Sequence, residues 1–137
     1  MTGTEVELMP TEDAPSMARH ALKAALEREG VPVSVLGRLL LITSEIVTTA
    51  LTRPASDAAE PVRLNLDVDR RRVRIEVIDP RPRRRAGGRF TRAQYGMSFV
   101  ILDRLSDRWG VMRGTDHSEA WSEVDLDDPA TGLDPGR

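Results

Sequence analysis

Near residue 60 the hydrophobic period of this chain changes from that of a helix to that of a strand. Before the change, residues 39–53 read LLLITSEIVTTALTR, in which Leu40, Leu41, Ile42, Ile46, Val47, Ala50 and Leu51 recur at helical spacing. After it, Val62, Leu64, Leu66 and Val68 alternate with Arg63, Asn65 and Asp67, and Val73, Ile75 and Val77 share one side of a second run. Strands of this kind keep one face wet, so their apolar face needs a helical cover. The intervening DRRR makes the two runs a hairpin.

The remaining elements fit that plan. Residues 14–29 predict a first helix, with Met17, Ala21, Ala24, Ala25 and Leu26 as its stripe and Gly30 as its C-cap. Pro32 lies in the following turn, Ser34 caps the second helix, and Pro54 ends it after Arg53. Residues 80–94, PRPRRRAGGRFTRAQ, read as a loop, because proline, glycine and like charges oppose a regular element. A third helix starts at Tyr95 or Gly96 and stops near Asp107, with Met97, Val100, Ile101, Leu102 and Leu105 available for burial. Residues 108–113 and 120–126 form a last strand pair around the polar turn GTDHSE, and Trp109 and Trp121 sit in or beside the core. The expected fold is α/β, a two-layer sandwich with helices packed on one face of a mainly antiparallel mixed sheet. Residues 13–126 form the domain, 1–12 an N-terminal strand (6–9) or flexible segment, and 127–137 a disordered tail.

Composition removes several chemistries. Cysteine is absent, which excludes disulfides, thiol catalysis and thiolate metal sites, and His20 and His117 are the sole imidazoles. The acidic N-terminus lacks a secretory pattern, and no run of roughly 18 apolar residues occurs, so a cytoplasmic protein without a membrane partner is expected. Formal charge is -2, yet residues 70–92 hold ten arginines against Glu76 and Asp79, a local +8 that leaves -10 elsewhere. Such a block attracts phosphate, a nucleotide tail or an acidic protein surface. Nucleic acid is disfavoured as a partner: no recognition-helix pattern or zinc spacing is present, and five aromatic residues are too few for a stacking platform.

Glu45 and Thr49 stand one helical turn apart in residues 39–53, where they can point together to the helix edge. Three segments in order, SEIVTTA at 44–50, VIDPRP at 77–82 and YGMSFVILDRLSDRWGV at 95–111 followed by AWSEV, carry a resemblance. With them, residues 10–126 resemble the anti-sigma-factor serine kinases and their relatives in the histidine-kinase-like ATPase superfamily, notably the small regulators of actinomycete type. The resemblance implies that Glu45 orients or deprotonates a nucleophile, for which a carboxylate within hydrogen-bond reach is required. It implies that Asp79 accepts the adenine amino hydrogen, and that Gly96 belongs to a Gly-x-Gly phosphate cradle where glycine admits close backbone approach. Arg83, Arg84, Arg85, Arg89 and Arg92 lie in the segment matching the nucleotide lid, and their guanidinium groups, Arg85 and Arg89 foremost, are candidate phosphate ligands.

This sequence departs from the family at three positions. Thr49 replaces the asparagine that holds magnesium, a weak or absent Mg²⁺ site, since the ion demands octahedral ligands at about 2.1 Å. Gln94 replaces the first glycine, and Ser118 stands where a lysine reaches the phosphates in the final turn. Each lost charged contact costs about 1.5–3 kcal/mol. What the resemblance implies is therefore a divergent anti-sigma-factor-like regulatory protein acting by protein–protein binding, with weakened or lost ATP binding. Its cofactors are ATP and Mg²⁺, held weakly, or none. Its partners are a sigma factor and/or an anti-sigma-factor antagonist; relatives commonly form homodimers, while this sequence leaves its own oligomeric state open. An alternative is an active ATP-dependent serine/threonine-protein kinase that phosphorylates the antagonist; a third is a nucleic-acid binder led by the Arg-rich loop.

Overall fold

A computed structural model describes residues 2–9, 11–51, 61–80, 92–113 and 117–126. The elements in order are β1 (Thr2–Leu8), α1 (Ala14–Arg28), α2 (Val33–Leu51), β2 (Val62–Val68), β3 (Arg72–Asp79), α3 (Arg92–Leu105), β4 (Arg108–Arg113) and β5 (Ser118–Asp125). The strands form one sheet in the order β1-β2-β3-β5-β4, and each of its four pairings is antiparallel. Helices cover one face of it, the expected two-layer α/β sandwich. No helix among the described residues is long and apolar enough to cross a membrane.

The alternation in β2 and β3 sets which face is covered. Val62, Leu64, Leu66 and Val68 of β2 and Val73, Ile75 and Val77 of β3 all point into the helical layer and are buried. Facing them, α1 contributes Ala14, Ala18, Leu22, Ala25 and Leu26, and α2 contributes Leu39, Ile42, Ile46 and Val47. Burial of an aliphatic side chain of this size stabilises by roughly 1.5–3 kcal/mol, so this two-sided cluster is the main cohesive term. Thr43 is buried among these residues and donates its hydroxyl to the Leu39 carbonyl at 2.8 Å, which satisfies it without a partner from another element.

Several expected positions shift. Met17 is 57% exposed and Leu41 46%, because each projects from the solvent side of its helix despite its apolar type. Val100 is likewise exposed. Ser34 lies inside α2, whose first residue is Val33. β1 runs from Thr2 rather than from residue 6, and pairs along its whole length with β2 at the sheet edge. The anticipated end of α2 near Arg53 and the tail 127–137 lie outside the described residues.

Two turns follow from single residues. Gly30 has φ 76°, a conformation costly for other residues, while its N–H donates to Glu27 and that of Val31 to Leu26, closing the end of α1. In the β2–β3 turn, Asp69 Oδ1 accepts from the N–H of Arg71 at 2.7 Å and of Arg72 at 3.0 Å. Those two donors hold its carboxyl below the usual aspartate range.

The outer face of the sheet is charged and bound to itself. Glu123 accepts from Arg108 at 2.8 Å, Arg74 at 3.0 Å and Arg72 at 3.4 Å, joining β3, β4 and β5. Arg108 also bonds Asp125. Beside this network Trp121 carries the Arg74 guanidinium 4.6 Å from its ring centroid. The indole lies against Gly110, its cross-strand partner, where a Cβ would come within 2.6 Å of Trp121 Nε1. Trp121 therefore belongs to the outer face, whereas Trp109 packs against the core, meets Phe99 in a tilted contact with ring centroids 5.4 Å apart, and donates to Asp103 at 3.1 Å.

Arg108 holds the Glu123 carboxyl below its ordinary range against the opposing effect of burial, with Arg74 assisting, and Arg108 does the same for Asp125. A carboxylate with a depressed folded pKa contributes stability above its unfolded pKa, about 4, and loses it as pH falls through the folded value. Glu123→Gln is expected to lower stability by about 1 kcal/mol at pH 7, with the gap from wild type narrowing at pH 3. Urea unfolding at both values checks this; an equal gap at both would show that charge is not the source.

Candidate functional site

Four elements, α2, β3, β5 and α3, converge at one end of the sheet. On α2, Arg38 lies 3.7 Å from Asp107, whose N–H donates to the Glu123 carbonyl and whose Oδ2 accepts from the Asp125 N–H. These bonds tie the first half of α2 to the sheet end where β3 begins, since Arg72 is paired with Asp125. Thr49 is eleven residues further along, about 16 Å toward the opposite end at about 1.5 Å per residue. That is the end where β3 finishes at Asp79 and β5 begins at Ser118. α3 runs the other way, from Arg92 to Leu105 next to Asp107, so its first turn also belongs to the Asp79 end.

Asp79 is more deeply placed than Glu45 or Thr49. It is 2% exposed and shares the inner face of β3 with Val73, Ile75 and Val77, which turns its carboxylate toward the helical layer. A buried acceptor of this kind at a strand mouth suits a ligand amino group that would otherwise forgo its bond to water. Directly across the ladder stands Ser118.

Ser118 is the residue that reading the sequence misplaced. It is the first residue of β5 rather than part of a turn, and Ser118, Ala120, Ser122 and Val124 share one strand face with alternating spacing. That period-2 pattern was present in the sequence and would have put Ser118 on the Asp79 side. Its neighbours His117 and Glu119 project to the other side, where His117 Nε2 is 3.0 Å from Glu119 Oε2.

Glu45 and Thr49 are both half-buried on α2. The Thr49 hydroxyl donates to the Glu45 carbonyl at 2.8 Å, a bond back along its own helix. An asparagine amide would extend further from the backbone and present a carbonyl oxygen instead. Thr49 thus offers a magnesium ion one neutral oxygen close to the helix axis, and the residues fit that ion poorly. Among the described residues no group of three or more His, Asp or Glu is arranged to hold a metal. Ser44, adjacent to Glu45, accepts from Arg19 at 2.8 Å and fixes α1 against this part of α2.

Gly96 lies inside α3, four residues past its first, so the helix starts earlier than Tyr95 and takes in residues 92–94 of the expected loop. Its N–H is in the register that bonds the Arg92 carbonyl. Arg85 and Arg89 lie outside the described residues. The structure therefore brings Glu45, Thr49, Asp79, Ser118 and the start of α3 to one end of the molecule.

Solved structures share this fold. The fold matches the RsbU and RsbW domains of a Mycobacterium tuberculosis protein with a TM-score of 0.72 and 18% identity, over 92% of this chain and 33% of that one. The chain thus spans about a third of that protein's length. It also matches a structure of the SiaB–SiaC complex from Pseudomonas aeruginosa with a TM-score of 0.62 and 8% identity, over 88% of each chain. No curated protein sequence matches significantly. The model of the histidine kinase-like ATPase domain covers residues 9–119, from the end of β1 through the opening of β5, and so includes every site residue described above. This chain belongs to the histidine kinase-like ATPase domain family.

Proposed function

We propose that the protein is an anti-sigma-factor-like regulator that acts in the cytoplasm by binding another polypeptide, and that its hold on ATP is weakened. One contrast supports this reading above all: Asp79 is kept, buried and turned inward, while Thr49 gives its hydroxyl proton to its own helix. The adenine end of the site is intact and the metal end is altered. Family membership and the resemblance to RsbW-containing and SiaB-containing structures support a sigma factor or an anti-sigma-factor antagonist as the partner.

Calorimetric titration with ADP and a non-hydrolysable ATP analogue, each with and without Mg²⁺, tests the nucleotide half. Weak binding that Mg²⁺ barely changes is expected, and Thr49→Asn should gain about tenfold in affinity when Mg²⁺ is present, about 1.4 kcal/mol. Tight, magnesium-dependent binding by the unaltered protein would overturn it. The partner half is tested by purifying the protein with candidate sigma factors and antagonists; co-elution with neither class would sink it.

A working serine/threonine kinase is the second reading, favoured by Glu45 standing half-buried one turn from Thr49 at the Asp79 end. Phosphoryl transfer depends on alignment of the nucleophile and the phosphates, which a poorly held metal degrades. Transfer of labelled phosphate to an antagonist, above a Glu45→Ala control, would make this reading the correct one.

A further inference from the structure

We propose that the open edge of β1, with the flank of α1 above it, is a docking groove for an extended segment of another polypeptide in which apolar residues alternate with lysine or arginine. The inference rests on the reading above that the protein works by binding another polypeptide, and adds the place and the chemistry. β1 is the outermost strand of the sheet and pairs with β2 alone among the described strands. In an antiparallel ladder about half of a strand's N–H and C=O groups turn to each side, so one set in β1 is left for an incoming strand.

The two sides of that edge differ in chemistry. On the inner side Leu8 is buried, Val6 is half-buried against the core, and Thr4 is half-buried. Above them lies α1, which packs on β1. Its stripe Ala14, Ala18, Leu22, Ala25 and Leu26 faces the core, and on one flank Arg19 bonds Ser44 of α2 at 2.8 Å. At about 100° per residue, Met17, Ala21 and Ala24 stand on the opposite flank, away from α2 and over the β1 edge. Met17 is 57% exposed and Ala24 is exposed, apolar residues with no core to face.

The outer side is acidic. Glu5 and Glu7 are exposed there, and Gly3, across the ladder from Asp67, has no side chain to cover it. Arg63 bonds Glu5 at 3.2 Å and is the one cation on the outer side of β1 and β2. Three carboxylates against one guanidinium leave a net charge of -2. That charge decides the occupant. A second copy joining β1 to β1 at full overlap would set Glu5 opposite its own copy, and like charges directly opposite are destabilising. A strand with lysine or arginine at alternate positions instead meets Glu5 and Glu7 with opposite charge. Its intervening apolar residues turn inward beside Val6 and under Met17, Ala21 and Ala24. Only an alternating sequence satisfies both sides at once.

The heptapeptide Lys-Val-Lys-Thr-Lys-Val-Lys, titrated into ¹⁵N-labelled protein at about 0.15 M salt, tests this. It is expected to shift the amides of residues 3–8 saturably and to slow their hydrogen exchange. A peptide of the same composition, with its four lysines first and the other residues last, should bind about tenfold more weakly. The double variant Glu5→Lys, Glu7→Lys should lose about tenfold toward the alternating peptide, and Met17→Ser about threefold. All three positions are exposed, so far-UV circular dichroism is expected to stay unchanged. No saturable shift in residues 3–8, equal affinity for the two peptides, or full affinity in the double variant would overturn the groove. Shifts in β1 that follow protein concentration without peptide would assign the edge to a second copy and overturn it as well. No sigma factor or antagonist enters this titration. Its failure alongside co-elution of such a partner strikes the groove alone, whereas success without any co-eluting partner strikes the sigma-factor reading alone.

Discussion

Ile46→Ala is expected to cost about 3–4 kcal/mol of folding stability. Ile46 is 1% exposed and lies in the middle of α2, the helix that packs between α1 and α3 and over β3. Truncating it removes three methyl or methylene groups from a site whose walls are strands on one side and helices on the other, so little collapse can fill the space. Against a total of about 5–15 kcal/mol for a domain, the loss is a large fraction and should lower the unfolding temperature by roughly 10 °C. Leu41→Ala, five residues earlier on the same helix and exposed, is expected to change stability by less than about 0.5 kcal/mol. Urea denaturation of both variants separates them. Equal costs would mean that α2 is rotated from the orientation described.

Asp79→Ala is the second large change, and its target is the ligand rather than the core. If the buried carboxylate accepts the adenine amino hydrogen, removing it should weaken ADP or ATP binding by about 10- to 100-fold, the span of one charge-assisted bond of roughly 1.5–3 kcal/mol. The strand pairing of β3 with β2 and β5 runs through backbone groups and is expected to survive, with far-UV circular dichroism unchanged. Full nucleotide affinity in the variant would detach Asp79 from the base. Inosine diphosphate, which lacks the amino group, should bind the unaltered protein as weakly as ADP binds Asp79→Ala.

The hairpin of β2 and β3 was legible because its apolar residues alternate strictly, and period-2 burial leaves one register that covers them all. Gly30 was legible for a similar reason: a glycine after a helical stripe is the residue that the turn needs. Burial on α1 and α2 was read less well. Met17 and Leu41 are apolar yet exposed, while Thr43 is polar yet buried and bonded to Leu39. Residue type states a preference, and helix rotation against the sheet decides which preferences are met. At the site, the polar run GTDHSE outweighs the alternation that follows it, so the sequence predicts Ser118 in a turn, whereas it is the first residue of β5, across from Asp79.

By itself the sequence determined the class of fold and the order of elements, since hydrophobic period is a local property that each segment carries with it. It also determined which chemistries were absent, through the lack of cysteine and the scarcity of histidine. Only the tertiary structure decided that β5 pairs with β3 so that Ser118 stands across from Asp79, that α2 and α3 run in opposite directions over the sheet, and that α3 begins at Arg92 rather than at Tyr95 or Gly96. Those facts depend on how distant segments pack, and packing selects one arrangement among several that local propensity leaves nearly equal in energy.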